Sequence, residues 1–146
     1  MADHSLIGRS LGVTTAEVEK GRLRFFAKAI GETDPLYTDE SAARAAGYKS
    51  LPVPPTFLMC LESEGRDTDH IVQSIFGFDL GRILHAEQGF VYHRMAFAGD
   101  VLTFDTRVVD VYEKKGGALT FVVQQTRVTN QDGEHIADLR SSLVQR

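Results

Sequence analysis

The chain has 146 residues, 42% of them hydrophobic, and a formal net charge of −4; this size and apolar content suit one domain with one core across residues 1–146. Acids and bases are interspersed without a basic stripe, which argues against nucleic-acid binding. No apolar run reaches the roughly eighteen residues of a membrane span and the N-terminus has no signal-peptide pattern, so a cytoplasmic protein is expected.

The first half reads as helices and loops. Over residues 15–30, Leu23, Phe26, Ala27 and Ile30 recur at the spacing of one helical face, and Gly31 supplies a stop. The stretch AIGETDPLYTDE follows, with four carboxylates, a Gly, a Pro and a Tyr in twelve residues. Next, DESAARAAG offers Thr38 or Asp39 as an N-cap, acids in the first turn and Gly47 as terminator, the marks of a short helix. Three prolines then precede the run FLMCL, apolar on all sides. Pro55 suits a helix entry, and a helix apolar all round must be buried, so this run reads as a central helix wrapped by other structure. A short buried strand is the competing reading. Cys60 lies in that run as the only cysteine, which excludes an internal disulfide and reads as a buried inert thiol. The segment GRDTDHIVQSIFGFDLGRIL lacks clean periodicity and is either a flap over a tunnel or an ordinary connection.

From Ala86 onward the pattern is that of strands. GFVYHRM alternates, with Phe90 and Tyr92 on one face and Val91 and His93 on the other. VLTFDTRVVDVY, LTFVVQQTRVT and HIADLRSSLVQ follow, separated by Gly-Gly and Asp-Gly turns, which predicts an antiparallel meander. A sheet with one face to bury, beside a single buried helix, is expected to curl around that helix.

That α+β architecture is the hotdog fold, and two motifs strengthen the likeness. The loop resembles the signature Gly-Asp-x-Asn-Pro-Leu-His of MaoC-like dehydratases and (R)-specific enoyl-CoA hydratases, here Gly31, Glu32, Thr33, Asp34, Pro35, Leu36 and Tyr37, followed by Asp39 and a small Ala-rich helix. HAEQGFVYHRMAFAGDVLTF is similar to the family's second block, a strand ending in His-Arg that leads into an Ala-Gly-Asp turn. More narrowly, residues 26–57 resemble FAS1-like dehydratase domains and the accessory subunits of two-subunit hydroxyacyl-ACP dehydratases.

The resemblance implies addition or removal of water across an acyl thioester, on CoA or an acyl carrier protein, without a cofactor. Such chemistry needs an acid and a base at the α- and β-carbons and N–H donors at the thioester carbonyl. In the family a loop Asp and His act on the water, and a Gly N–H at the central helix receives the oxyanion. Here Glu32 replaces the Asp, keeping a carboxylate with a longer reach. Tyr37 replaces the His, and a phenol is a poor base but a competent donor. Pro55 replaces the Gly and has no N–H, which passes that role to Thr56 or Phe57. The resemblance thus makes Glu32 and Tyr37 the candidate catalytic pair and Asp34, Pro55, Thr56 and Phe57 candidate substrate-binding residues.

Each site residue also has a plainer reading. Glu32 and Asp34 can form a helix stop and an Asp-Pro turn, Tyr37 an aromatic wall, and His85 and His93 satisfied strand residues. Asp100 reads as a turn residue. No histidine stands at metal-ligand spacing from another His or Cys in the sequence, so no metal is expected. Three functions follow from the resemblance: a hydratase/dehydratase with a modified pair, a non-catalytic acyl-binding subunit whose partner supplies the Asp and His, and, more weakly, a thioesterase. A homodimer or a heterodimer with a MaoC-like subunit is expected, since pairing would cover edge strands.

Overall fold

Five strands form one antiparallel sheet. The computed structural model describes residues 1–146, and its main elements are β1 Ser10–Glu17, α1 Lys20–Ala29, α2 Glu40–Ala45, α3 Phe57–Ser63, β2 Ile83–Tyr92, β3 Val101–Lys114, β4 Leu119–Thr129 and β5 His135–Gln145. The strand order across the sheet is β1-β3-β4-β5-β2. The sheet faces α3: Phe57, Leu58 and Leu61 share one buried cluster with Leu102 and Phe104 of β3, Val128 of β4 and Leu139 of β5. This is the hotdog arrangement.

Several expectations change. The first half contains a strand, β1, which takes up residues 15–17 of the expected helix over 15–30; α1 begins only at Lys20. β1 carries few apolar residues, Val13 among them points outward, and Gly12 at φ +103° sits at a register shift. Its strand character comes from pairing along β3 rather than from its own pattern. The four later strands are not one meander. β3, β4 and β5 are consecutive neighbours, but β2 pairs with β5 at the far edge because β1 occupies the free side of β3. The link of residues 93–100 therefore crosses three interstrand steps, roughly 14 Å, well within the reach of eight residues.

α3 is short and not enclosed on every side, since Met59 is 41% exposed and Cys60 only half-buried. Its other side buries Leu58 and Leu61 completely. The segment after it is a packed connection. Helical turns over Thr68–His70 and Ile71–Ile75 place Ile71, Val72, Phe76 and Phe78 in a second cluster with Leu6, Val108, Val111 and Val122. A bulge between Val108 and Asp110 shifts the inward phase of β3, so that Val108 and Val111, three apart, both face this cluster.

Candidate active site

Gly31 closes α1 at φ +74°, a left-handed conformation that glycine adopts at little steric cost. The loop then folds on its own carboxylates. Glu32 Oε1 accepts the Asp34 N–H at 2.9 Å, and Asp34 Oδ1 accepts the Leu36 N–H at 3.0 Å, capping the turn Pro35–Tyr37. The plainer reading of both acids is thus realised. It leaves Glu32 Oε2 without a partner, so the plainer reading does not remove the carboxylate from chemistry.

That turn directs Tyr37 into a pocket of about 390 Å³, lined also by Val53, Pro55, Tyr92, His93 and Met95. Burial, then the negative charges of Glu32 and Asp34, raise the Tyr37 phenol above its ordinary value. Tyr37 is therefore a proton or hydrogen-bond donor at neutral pH, not a base. Glu32 and Asp34 act on it by charge but do not line the pocket.

The three residues expected at the helix start divide. Phe57 donates its N–H to the Pro54 carbonyl at 2.9 Å, and its ring is buried against Phe26 at 4.8 Å between centroids, so it is a core residue. Pro55 lines the pocket but has no N–H. Thr56 is exposed and its N–H donates to no other group of the chain, but it does not itself line the pocket.

Tyr92 is a site residue that the sequence did not single out. Its hydroxyl donates to the Pro55 carbonyl and so ties the end of β2 to the entry of α3. Burial raises its phenol far above the ordinary value, with a smaller contribution from Tyr37. The available signal was the alternation of Phe90 and Tyr92, an aromatic face carrying one polar tip.

The histidines also separate. His85 Nε2 faces Gln88 Oε1 at 3.1 Å and lines a different hollow, beside Glu62 and Arg66. His93 lines the Tyr37 pocket, and its Nε2 lies 2.9 Å from Asp138 Oδ2. The other Asp138 oxygen lies 2.8 Å from His135 Nε2. Spacing along the sequence gave no hint of this three-residue cluster. Asp100 is more than a turn residue: it is 2% exposed and accepts bonds from Lys49 at 2.8 Å, Gln131 at 3.0 Å and the Phe97 N–H at 2.9 Å.

Residues 5–139 match the family model described as the FAS1-like, dehydratase domain region. A UPF0336 protein of Saccharopolyspora erythraea is 37% identical over 146 residues, spanning 99% of this chain and 91% of that one. Among solved structures, the C-terminally truncated HadBC (3R-hydroxyacyl-ACP dehydratase) complex from Mycobacterium tuberculosis superposes with a TM-score of 0.79 at 28% identity, covering 95% of this chain and 96% of the other. A MaoC-like dehydratase from Phytophthora capsici gives 0.75 at 26% identity, covering 97% of this chain and 48% of that one. No helix of the chain is long and apolar enough to cross a membrane.

Proposed function

The chain belongs to the family of FAS1-like dehydratase domain regions, and from that premise we propose that it is the acyl-binding half of a two-subunit MaoC-like hydratase/dehydratase. Its substrate is an enoyl or 3-hydroxyacyl thioester on CoA or an acyl carrier protein. The observation that carries this reading is the make-up of the pocket: donors are present, but the loop carboxylate is absent from its walls.

Dehydration removes an α-proton, places enolate charge on the thioester oxygen and expels the β-hydroxyl as water. The Tyr37 hydroxyl suits the departing oxygen, and the unpaired Thr56 N–H, next to Pro55 of the pocket wall though not itself part of it, is the candidate for the developing oxyanion. A strong base for the α-proton is what the loop lacks, since Tyr37 holds its proton and Glu32 supports the loop. A partner with an intact loop Asp and His supplies it.

The outer edge of β2 favours such a partner. Leu84, Val91 and Met95 are 49%, 60% and 45% exposed, and Met95 also lines the pocket. Burying these side chains and the unpaired strand edge stabilises association. HadBC, a 3R-hydroxyacyl-ACP dehydratase to which this chain is 28% identical, is itself a complex.

A second reading keeps the chemistry within this chain, with Glu32 as base and Tyr37 as donor. The unpartnered Glu32 Oε2, whose charge acts on Tyr37, favours it. Hydration of short and long trans-2-enoyl-CoA, followed by loss of enone absorbance, separates the two. Silence alone and turnover on adding a MaoC-like partner support the binding subunit. Turnover by the chain alone that disappears in Glu32→Gln supports the second reading and overturns the first.

A further inference from the structure

We propose that His93, His135 and Asp138 form a site for a divalent first-row transition-metal ion, of the class of zinc, on the rim of the Tyr37 pocket. The three donor atoms lie within 4.8 Å of one another. The sheet holds them there. β2 and β5 pair with Val91 opposite Asp138 and Tyr92 opposite Ala137, and the His93 N–H continues that ladder to the Ile136 carbonyl at 2.8 Å. His93 just past the end of β2 is thereby fixed beside the start of β5.

The donor set selects the class of ion. Two imidazole nitrogens and one carboxylate suit zinc and its neighbours, whereas magnesium and calcium favour sites built from oxygen. Bonds of about 2.0–2.2 Å in a tetrahedral shell place ligand atoms about 3.3 Å apart. Asp138 already lies 2.9 Å from His93 Nε2 and 2.8 Å from His135 Nε2, so side-chain adjustment alone has to bring the imidazoles onto a common centre. The rings, with centroids 4.2 Å apart and tilted by 35°, are near neighbours already.

Local charge sets a limit on affinity. Arg127 stands opposite Asp138 on β4 and shares a surface hollow with it, which opposes a cation, while Arg94 is paired with Glu134 at 3.2 Å. Three protein ligands still leave a position for water or for a carbonyl group from the pocket, because His93 lines both. The site is independent of which subunit supplies the catalytic base.

The test uses the full-length, untagged, metal-stripped protein and zinc chloride in a calorimetric titration, with cobalt(II) absorption as a second probe. One equivalent with a dissociation constant in the micromolar range is expected, together with intense visible cobalt bands of low coordination number. His135→Gln and Asp138→Asn should each weaken binding about tenfold or more, and His85→Gln should leave it unchanged. Zinc should also raise the melting temperature of the parent protein but not of those two variants. Should either variant fail to fold, His93→Gln, at an exposed position past the end of β2, takes its place. No saturable binding below about 1 mM, or one-equivalent binding that survives these substitutions, overturns the proposal.

Discussion

The signature loop and the central helix each present a glutamate, and the two are held on opposite terms. Glu32 is half-exposed and bonds only to the N–H two residues on. Glu62 on α3 is buried; it accepts from Arg66 at 3.1 Å and from the Thr126 hydroxyl, which meets Thr106 at 2.8 Å across β3 and β4. Arg66 reaches on to Gln124 at 3.0 Å. The acid in the recognisable motif therefore carries little of the fold, and the acid outside it carries much. A motif position reports chemistry; energetic weight depends on burial and partners.

The largest effect expected from this contrast is at Glu62. Removing one member of a buried ion pair strands the other, at a cost of about 3–5 kcal/mol. Glu62→Ala should therefore lower the melting temperature by roughly 10 °C, and Glu62→Gln by clearly less because it keeps an acceptor for Thr126. A Glu62→Ala melting point within a degree or two of the parent would erase the contrast.

An intermediate effect is expected at Tyr92, which links β2 to the pocket entry. Tyr92→Phe loses one hydrogen bond, about 1 kcal/mol of stability, and frees the Pro55 carbonyl. Turnover of the assembled enzyme should fall about tenfold, chiefly in kcat. Full activity in this variant would remove Tyr92 from the site.

Asp100 is expected to make stability depend on acid. Burial opposes its ionisation, but the bonds from Lys49, the Phe97 N–H and Gln131 outweigh it, so the folded pKa lies below the unfolded one. Its contribution is complete above the unfolded value, about 3.9, and is lost as pH falls through the folded value. Denaturant midpoints measured from pH 5 downward should decline below pH 4 in the parent, and less steeply in Asp100→Asn. Equal slopes would assign acid sensitivity elsewhere.

The smallest stability effect is expected in the loop. Glu32→Gln keeps an oxygen for the Asp34 N–H and should stay within about 0.5 kcal/mol of the parent in chemical denaturation. A larger loss would show that the loop carboxylate has the structural weight assigned here to Glu62.

Much of the fold was legible from local pattern. LTFVVQQTRVT and HIADLRSSLVQ coincide with β4 and β5, because their strand-favouring composition is set off by the turns at Gly116, Gly117 and Gly133. Gly31, Asp39 and Gly47 likewise bound their helices as expected, through positive φ at the glycines and a side-chain cap at Asp39. Tyr37 and Pro55 line one pocket.

What the sequence determined by itself is therefore what neighbours within a few residues decide: where helices stop, where strands alternate, and which loop resembles a catalytic one. Only the tertiary structure made a strand of Ser10–Glu17 and sent β2 to the far edge. It also joined Tyr92 to Pro55 and gathered His93, His135 and Asp138. The Tyr92 and His93 contacts join residues 37 and 45 apart in the chain. No local periodicity encodes such pairs; strand register and sheet curvature bring them together.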